Sequence, residues 1–592
     1  KDIKVEFKIT EDNIKSRLDC SREELDFTVI DDENKKKKIL IEKLDYLKET
    51  TGILKLNGDE TKCGIVFTPN VNGYKGCVDI ANILQKHFQT EVRWFAGSTL
   101  ATGFTRKRQS EYTRESQKGF KENQFSLIVA TKAFGMGINK PNIHYTFHYG
   151  IPMSIEGLYQ EAGRAGRDRI KFKKEKAQCL ILLSKSDETH LSKLWERETP
   201  LSIVKEIQEK DKTSGDINTN LFLFCKDLEV IPKEFSVMKS LYTRFAKPNQ
   251  NGVKITWKKY KRNELTEKAS QQTERAIYKL SQIGVVKDWT INHKDGCFEV
   301  DFNDFSEQTI LTSLLETIRK YDPEYSLVKL EEDSQHIYQK FLDYLKRNHN
   351  KTNATDNALL NPSKTDKYML RLLDWHDENF IYSRRQSLRN VYKWCCDLAD
   401  KGGKTKEEFK KYLEDYFRFS ETTDSLQIIA ETPANYKEWF KVFYQPQSSR
   451  LKTKEEQQSL RSSLSRFLET YKENSGLNLI SGLLHLLLDD YEDRDGNGKS
   501  RLEGSLEKIQ KYGPYEKQYI IEEILKIGKE SDDKNKALLA KSLHKFFDSG
   551  KFLYTLHGVL NDSYSLAILL QQASNRLQRV KENLNDGLKE IG

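Results

Sequence analysis

The chain has 592 residues and a net charge of +9, with 32% of its residues charged and 37% hydrophobic. A mean hydropathy of −0.73, no apolar run near eighteen residues and no signal peptide argue against a membrane span or secretion, while 11% aromatic residues argue against general disorder. The eight cysteines are scattered without a CxxC pair, which disfavours a disulfide framework or a four-cysteine zinc site and fits a reducing cytoplasm.

The first part of the chain is predicted to form an α/β domain. Residues 1–35 are interpreted as a connector, and apolar residues at helical spacing predict a helix from Ile39 to Leu47. Further along, short apolar runs alternate with helical periodicity. The predicted strands are 64–67, 91–95, 127–130, 143–149 and 179–183, and the predicted helices between them are 78–88 and 112–121. This alternation is typical of a doubly wound parallel sheet, which we assign to residues 36–200.

The run ATKAFGMGIN at 130–139 places two glycines directly after a predicted strand. In open parallel sheets, ligands bind beyond the carboxyl ends of the strands. Gly135 and Gly137 would let the backbone approach a phosphate or ribose more closely than a side chain permits. Taken alone, GMGIN is a weak pattern, and it gains weight from its fixed distance to a second motif.

The second motif is QEAGRAGR at 160–167, with two arginines three residues apart. On a helix, this spacing points Arg164 and Arg167 in the same direction. Guanidinium groups stay charged and bind phosphate in a forked geometry, so the pair suits the γ-phosphate of a nucleotide. The alternative is a basic, flexible helix end that binds nothing.

Together, the two motifs resemble motifs V and VI of the RecQ family of DNA helicases, which belong to helicase superfamily two. The likeness is close over residues 130–168 and looser from Arg22 to Leu194. It implies that residues 36–200 form the second RecA-like lobe of a motor that uses ATP and Mg²⁺.

The resemblance also implies roles for individual residues. Arg164 and Arg167 take catalytic roles, and Gln160 orients the site through hydrogen bonds. Thr131 is expected to contact a nucleic-acid phosphate. The implied nucleotide-binding residues are Gly135, Gly137, Asn139 and Gly163.

The phosphate-binding loop of the first lobe is not convincingly present. That lobe supplies a GxxxxGK[ST] loop and a DExH metal motif. Residues 495–500 end in GKS, but Asp493 stands where the pattern requires its first glycine, and the segment follows an amphipathic helix rather than a buried strand. The same residues match the opening of a calcium loop but not its closing glutamate, so a solvated acidic turn is our interpretation and calcium the alternative.

The DETH string at 187–190 follows motif VI, whereas a metal motif of the first lobe would precede motif V. We interpret it as the start of a helix that runs to Trp195. The chain, which opens on Lys1, is therefore interpreted as the C-terminal portion of a helicase, starting near the end of the first lobe. It should be inactive alone, with ATP and Mg²⁺ held mainly by the missing lobe.

Two features depart from the RecQ pattern. A basic insertion at 105–108 follows Phe95-Ala96-Gly97, and it is either a nucleic-acid contact or an exposed loop. RecQ proteins usually carry a four-cysteine zinc hairpin after motif VI, but only Cys179 and Cys225 fall in that region here, so we predict no zinc.

Residues 201–305 are predicted to form a winged-helix-like module. Two helical stretches over 265–283 precede a hairpin whose turn contains Asp295-Gly296, a strong hairpin signal. RecQ helicases carry such a module at this place to engage duplex DNA. Basic residues interleaved with aromatic ones suit phosphates and base stacking, although a module used only for packing is the alternative. The candidate DNA-binding residues are Lys254, Lys258, Lys259, Lys261 and Arg262.

Residues 306–592 are predicted to be mainly α-helical, with a role that the sequence does not reveal beyond docking a protein partner or selecting a substrate. The last helix is the clearest, with Asp562 or Ser563 as its N-cap. One apolar face is expected to contain Leu566, Leu569, Leu570, Ala573, Leu577, Val580 and Leu584.

The leading hypothesis is a cytoplasmic ATP-dependent DNA helicase that translocates 3′ to 5′ on single-stranded DNA and unwinds duplex DNA. One alternative is a non-catalytic DNA-binding or scaffold subunit with a degenerate helicase lobe. Another is an RNA-directed helicase of superfamily two, although the AFGMGINKP run favours the DNA family.

Overall fold

The computed structural model describes fourteen stretches of the chain, and these divide into two compact units. The described residues are 22–135, 138–186, 188–196, 199–210, 215–226, 228–256, 266–347, 362–401, 403–417, 421–445, 448–488, 491, 497–547 and 550–591. The first unit comprises Arg22–Leu314 and Val328–Lys410, and the second includes Leu315–Leu327 and Lys411–Gly592.

The first unit contains a six-stranded sheet in the order β1-β6-β5-β2-β4-β3, with every pair parallel. The central strands are buried along their whole length, as expected for a parallel sheet covered on both faces. The predicted parallel sheet is confirmed. Its strands are β1 (Leu25–Asp31), β2 (Cys63–Phe67), β3 (Val92–Phe95), β4 (Leu127–Ala130), β5 (Ile143–His148) and β6 (Ala177–Leu183).

Strand β1 is not predicted by the sequence, in which residues 1–35 look like a connector. Leu25, Phe27 and Val29 are buried, while the residues between them are polar or charged and less buried. The strand pairs with β6 over its whole length. Residues 25–31 therefore belong to the sheet.

Four helices connect the strands of this sheet: α1 (Lys36–Thr51), α2 (Cys77–Phe88), α3 (Arg106–Lys121) and α4 (Ile155–Ala162). The buried side chains of α1 are spaced four and three residues apart at Leu40, Leu44 and Leu47, which is the apolar stripe of a helix that covers a sheet. They join a hydrophobic core that also includes strands β2, β4 and β5.

Helix α3 begins six residues before the predicted start at Tyr112. The hydroxyl of Thr105 accepts a hydrogen bond from the N–H of Arg108 at 3.3 Å, which makes Thr105 the N-cap. The basic insertion at 105–108 is thus the cap and first turn of a helix, and its interpretation as a loop is wrong.

The chain continues with α5 (Glu188–Trp195), α6 (Leu201–Lys210), α7 (Asp216–Cys225), α8 (Ile231–Phe245) and α9 (Thr266–Gln282). The predicted helix to Trp195 is confirmed, while Asp187 lies outside the described residues. Helix α9 is one continuous helix, so the prediction of two stretches over 265–283 is wrong.

A buried ion cluster fixes α7 to the sheet. Lys36 Nζ lies 2.8 Å from Asp32 Oδ2 and 3.1 Å from Asp216 Oδ1. Asp216 Oδ2 also accepts hydrogen bonds from the N–H groups of Ser184 at 3.1 Å and Ile151 at 3.3 Å. Because buried charges need such partners, the start of α7 is held at the carboxyl ends of β1, β5 and β6.

A small antiparallel sheet follows, in the order β7-β9-β8. Its strands are β7 (Val253–Thr256), β8 (Val286–Asn292) and β9 (Cys297–Phe302). The predicted hairpin is confirmed, since β8 and β9 pair around the turn that contains Gly296, which has a φ of +64°. The predicted face of α9 is buried, with Ala276, Ile277 and Leu280 inside.

The next helices are α10 (Glu307–Arg319), α11 (Leu327–Arg347), α12 (Lys364–His376), α13 (Tyr382–Lys401) and α14 (Gly403–Phe417), with one π-helical turn, Asp377–Ile381, between α12 and α13. Burial raises the pKa of both Asp374 and Asp377 to about 7, and the carboxylates of Glu378 and Glu234, respectively, add to the shift. Carboxyl groups in this environment are easier to protonate than in water.

The second unit is built from helices, which confirms the prediction of a large helical C-terminal region. They are α15 (Glu421–Glu431), α16 (Tyr436–Lys441), α17 (Lys454–Thr470), α18 (Ser475–Leu487), α19 (Asn497–Ile509), α20 (Pro514–Gly528), α21 (Asp533–Phe546), α22 (Gly550–Leu560) and α23 (Ser563–Ile591). None of the helices in the described parts of the chain combines the length and apolar character needed to cross a bilayer.

Helix α18 is buried on nearly every side, so the prediction that its end is amphipathic is wrong. Two glycines permit close packing, because a Cβ on Gly476 would lie 2.5 Å from Trp439 Nε1 and one on Gly482 would lie 2.7 Å from Leu502 Cβ. Residues 497–500 of the GKS segment form the first turn of α19, not a loop. Residues 492–496, which carry the calcium alternative, lie outside the described residues.

The last helix, α23, has the predicted N-cap, because Asp562 Oδ1 accepts the N–H of Ser565 at 2.7 Å. Much of the predicted apolar face is exposed: Leu570 is 62% exposed and Leu577 is 71% exposed. At the start of the helix, Ile568 and Leu569 pack against the core of the unit.

Candidate nucleotide and nucleic-acid site

Thr131 lies at the carboxyl end of β4, where the sequence places it. Its N–H donates to the carbonyl of Phe95 at the end of β3 at 3.1 Å. A 3₁₀ turn, Lys132–Gly135, follows directly, so Gly135 also lies at the carboxyl ends of the strands. Gly97 is close to this turn, since a Cβ on it would lie 2.9 Å from Ala133 Cβ. Gly137 lies outside the described residues.

Asn139 lies at the opposite end of the sheet. Three residues later, the carbonyl of Asn142 accepts the N–H of Cys63, the first residue of β2, at 3.0 Å. The amide of Asn142 donates to Asn123 Oδ1 at 3.0 Å, and Lys140 donates to the same oxygen. The turn that carries Asn139 is therefore fixed at the amino ends of the strands, whereas the carboxyl-end rule would place it beside Thr131.

The two arginines of motif VI do not lie on a helix, so the prediction that helical spacing aligns them is wrong. Helix α4 ends at Ala162 with Gly163 as its C-cap, and Gly166 has a φ of +64°. The N–H of Gly166 donates to the carbonyl of Ile143 at 3.1 Å. A loop at the amino end of β5 therefore carries Arg164 and Arg167. We call residues 163–167 the arginine loop.

The arginine loop meets the end of motif V. Arg167 Nη1 donates to Asn139 Oδ1 at 3.0 Å. Arg164 Nε is buried and makes no hydrogen bond to any described residue. Burial lowers the pKa of both guanidinium groups, and a neighbouring cation lowers it further: Arg167 beside Arg164, and Arg22 beside Arg167. Arginine nevertheless stays charged, so an anion at this place would be strongly stabilised.

Gln160 is exposed on the last turn of α4. The neighbouring Glu161 forms a 2.9 Å hydrogen bond with the buried His148 at the end of β5, which fixes the helix on the sheet. No sequence signal indicated this pair, although Glu161 belongs to the second motif and His148 lies between the two motifs.

Sequence reasoning also missed Arg22, whose guanidinium donates to the carbonyl oxygens of Gly163, Ala165 and Gly166. Arg22 and Gly163 are 141 positions apart. No local pattern could indicate this contact, because it depends on the unpredicted strand β1.

Of the candidate DNA-binding residues in the small sheet, the structure describes only Lys254. It is 60% exposed and lies 3.6 Å from Glu299 on the paired strand β9. The other four, Lys258, Lys259, Lys261 and Arg262, lie outside the described residues, together with Trp257 and Tyr260.

The described part of the chain contains no cluster of His, Cys, Asp or Glu suited to a metal ion. Burial raises the pKa of Cys179 to about 12 and that of Cys225 to about 11. Both thiols are therefore harder to deprotonate than a cysteine in water.

Comparison with known proteins defines the class of this domain. Residues 42–169 match the model of the helicase conserved C-terminal domain, a range that contains β2 to β5, α4 and both motifs. The domain is therefore a helicase C-terminal domain.

Individual relatives of the chain include RecQ-like DNA helicases. A RecQ-like DNA helicase of Caenorhabditis elegans is 46% identical over 80 residues, which cover 14% of this chain and 8% of the relative. A predicted ATP-dependent RNA helicase of Acanthamoeba polyphaga mimivirus is 45% identical over 78 residues, which cover 13% of each chain. RecQ helicases of Xenopus laevis and Bacillus subtilis also match. The RecQ-like proteins among these relatives agree with the resemblance that the two motifs show.

The matched segments are short, and they span 8% and 13% of the first two relatives. Among solved structures, the Mycobacterium smegmatis helicase Lhr bound to ssDNA and AMP-PNP aligns with a TM-score of 0.21 at 12% identity, covering 49% of this chain and 33% of that one.

Proposed function

We propose that this chain is part of an ATP-dependent RecQ-like DNA helicase, in which the arginine loop meets the phosphates of ATP bound by another lobe. The supporting observation is the 3.0 Å hydrogen bond between Arg167 and Asn139, because it joins the GMGIN and GRAGR motifs. Guanidinium groups offset the charge on the transferring phosphoryl group, an effect worth about 10³–10⁵ in rate.

Thr131, at the other end of the same sheet, contacts a phosphate of the DNA strand in this proposal. One connection, residues 131–142, then links the DNA contact to the nucleotide contact. Such a link would couple ATP hydrolysis to translocation, in the 3′ to 5′ direction by family resemblance, and to unwinding.

ATP suits the arginine loop, because the guanidinium groups of Arg164 and Arg167 are close enough for the charge of Arg167 to lower the pKa of Arg164. Mg²⁺ would help to neutralise the charge that develops on the phosphate oxygens during transfer. The described residues offer no acidic cluster for it, so we assign the ion to the lobe that binds ATP. We expect the 592-residue chain alone not to hydrolyse ATP, since it has no convincing GxxxxGK[ST] loop.

DNA-stimulated ATPase activity of the whole protein, measured beside the variant Arg167→Ala, tests this proposal. We expect kcat to fall by about 10³ or more. Lys174→Ala removes an exposed cation from the connection to β6 and should leave kcat unchanged. Equal activity of the wild type and Arg167→Ala would favour the non-catalytic scaffold.

An RNA-directed helicase is the second candidate, supported by the mimiviral relative. Single-stranded DNA and RNA of the same sequence distinguish the two when each is used to stimulate the ATPase. Stronger stimulation by RNA than by DNA would identify RNA as the substrate.

We further propose that the small sheet and its helices form a winged-helix module that contacts duplex DNA. The order of the elements along the chain, α8, β7, α9, β8 and β9, supports this, with β8 and β9 as the terminal hairpin. Lys254→Ala should weaken duplex binding and reduce the slope of log K against log[salt] by about one, as loss of one phosphate contact does. An unchanged slope, matching that of Lys174→Ala, would contradict the contact.

The remaining assignments are part of the same proposal. The residues before Leu25 connect the lobes, β1 and residues 36–200 form the helicase lobe, and residues 201–305 form the winged-helix module. Residues 306–592 form a helical region that docks a protein partner. We propose that the protein is cytoplasmic and that it binds no zinc.

A further inference from the structure

The guanidinium of Arg22 lies against the backbone of the arginine loop. Nη1 donates to the carbonyl of Gly163 at 3.0 Å, and Nη2 donates to the carbonyls of Ala165 at 2.7 Å and Gly166 at 3.1 Å. The first two carbonyls flank Arg164 on either side. One side chain thus sets the direction of the backbone that carries Arg164.

These carbonyls need a donor. They belong to the C-cap of α4 and to the loop beyond it, outside helix and strand, and the nearby helix end carries partial negative charge. Helix α4 ends at Ala162, and the loop beyond it turns away through Gly163 and Gly166. A cation that donates three hydrogen bonds satisfies this end better than water or a neutral side chain, because charged donors form the stronger bonds.

Arg22 is itself held rigidly. Its Nε donates to Glu24 Oε2 at 3.2 Å, and the other oxygen of Glu24 lies 3.3 Å from Arg169 Nε. The backbone of this turn is anchored, since the carbonyl of Arg22 accepts the N–H of Leu25 at 3.0 Å and that of Glu24 accepts the N–H of Ala177 at 2.8 Å. Arg22 therefore stands in a fixed place relative to β1 and β6.

We propose that Arg22 is a positioning residue for phosphoryl transfer, which acts by holding the arginine loop in the shape that presents Arg164 and Arg167. This inference rests on the proposed function of those two arginines. Arg22 does not touch the nucleotide. It acts through the three carbonyls and through its positive charge beside Arg167.

The test compares Arg22→Ala and Arg22→Lys in the whole protein, with Arg169→Ala as the control that removes only the outer partner of Glu24. We expect Arg22→Ala to lower kcat of the DNA-stimulated ATPase about ten- to a hundredfold, the cost of misplacing reacting groups by about 1 Å. KM for ATP should change much less, because the other lobe binds most of the nucleotide. Arg22→Lys keeps the positive charge on a single donating nitrogen and should recover part of the lost kcat. Arg169→Ala should keep kcat near that of the wild type.

A double-mutant comparison separates positioning from a direct role. If Arg22 acts through the loop, Arg22→Ala lowers kcat several times less in an Arg167→Ala background than in the wild type. Equal factors in both backgrounds, or an unchanged kcat for Arg22→Ala, would overturn the inference. If Arg167→Ala itself leaves kcat unchanged, the proposed function fails instead. Should Arg22→Ala not fold, Arg22→Lys and its combination with Arg167→Ala replace it in the same comparison.

Discussion

Gly166 offers a sharp test of how the arginine loop is built. Its φ of +64° strains any residue with a Cβ, and a Cβ at this position would lie 3.1 Å from Glu24 Cβ, 3.3 Å from Ala177 Cβ and 3.4 Å from Leu25 Cδ2. The first two atoms are attached directly to the backbone beside β1 and β6. They can yield only if the strands move.

Gly103 provides a matched control, because it has a φ of +81° and no atom lies within 4 Å of the place that a Cβ would occupy. Alanine at either position bears the left-handed strain of about 1–2 kcal/mol. Only Gly166→Ala adds crowding, which costs about 1–3 kcal/mol in a packed site. The free energy of unfolding should therefore fall by about 1–3 kcal/mol more for Gly166→Ala than for Gly103→Ala.

Hydrogen–deuterium exchange of the amides in β1 and β6 measures this difference close to the loop. Gly166→Ala should also lower kcat of the ATPase by displacing Arg164, whereas Gly103→Ala should not. Equal protection of β1 and β6 in the two variants would show that the loop has room for a Cβ, and the packing argument would be wrong.

Other predictions concern stability. Burial raises the pKa of Asp377 from 3.8 to about 7, so the folded protein keeps a proton that the unfolded chain releases. The free energy of unfolding therefore falls as pH rises through that window. Asp377→Asn should make this fall smaller in urea titrations at pH values of about 5 and 8, and an equal fall in the wild type and the variant would contradict the reasoning. Ile480→Ala in the buried α18 should lower the free energy of unfolding by about 2–5 kcal/mol, whereas Leu577→Ala should change it by less than about 0.5 kcal/mol. Similar urea unfolding midpoints for the two variants would refute the assigned burial. Lys36→Met removes the lysine that pairs with the buried carboxylates of Asp32 and Asp216 and should lower stability by about 3–5 kcal/mol. Thermal unfolding beside Lys38→Met, on the exposed face of α1, measures this difference.

The parallel sheet is largely predictable because strands β2, β4 and β6 are nearly continuous apolar runs, which burial on both faces favours. Strand β5 is equally buried, although its sequence, IHYTFH, includes three polar residues. Strand β1 escapes detection because it lies at the edge, where polar residues alternate with the buried Leu25, Phe27 and Val29.

The candidate site is predictable in its residues but not in its geometry. The spacing of Arg164 and Arg167 suggests a shared helix face, but the helix ends at Ala162 and the backbone turns at Gly166. Asn139 meets Arg167 only because the chain from Thr131 crosses to the amino ends of the strands. Long-range contacts of this kind, including that of Arg22, depend on strand order, which local sequence does not specify.

The cluster of Lys36, Asp32 and Asp216 divides the carboxyl edge of the large sheet into two halves. Because Asp216 draws the start of α7 over the ends of β1, β5 and β6, that half of the edge is plugged by protein. In the proposed function, a polynucleotide that contacts Thr131 would therefore meet this edge only at the ends of β2, β3 and β4.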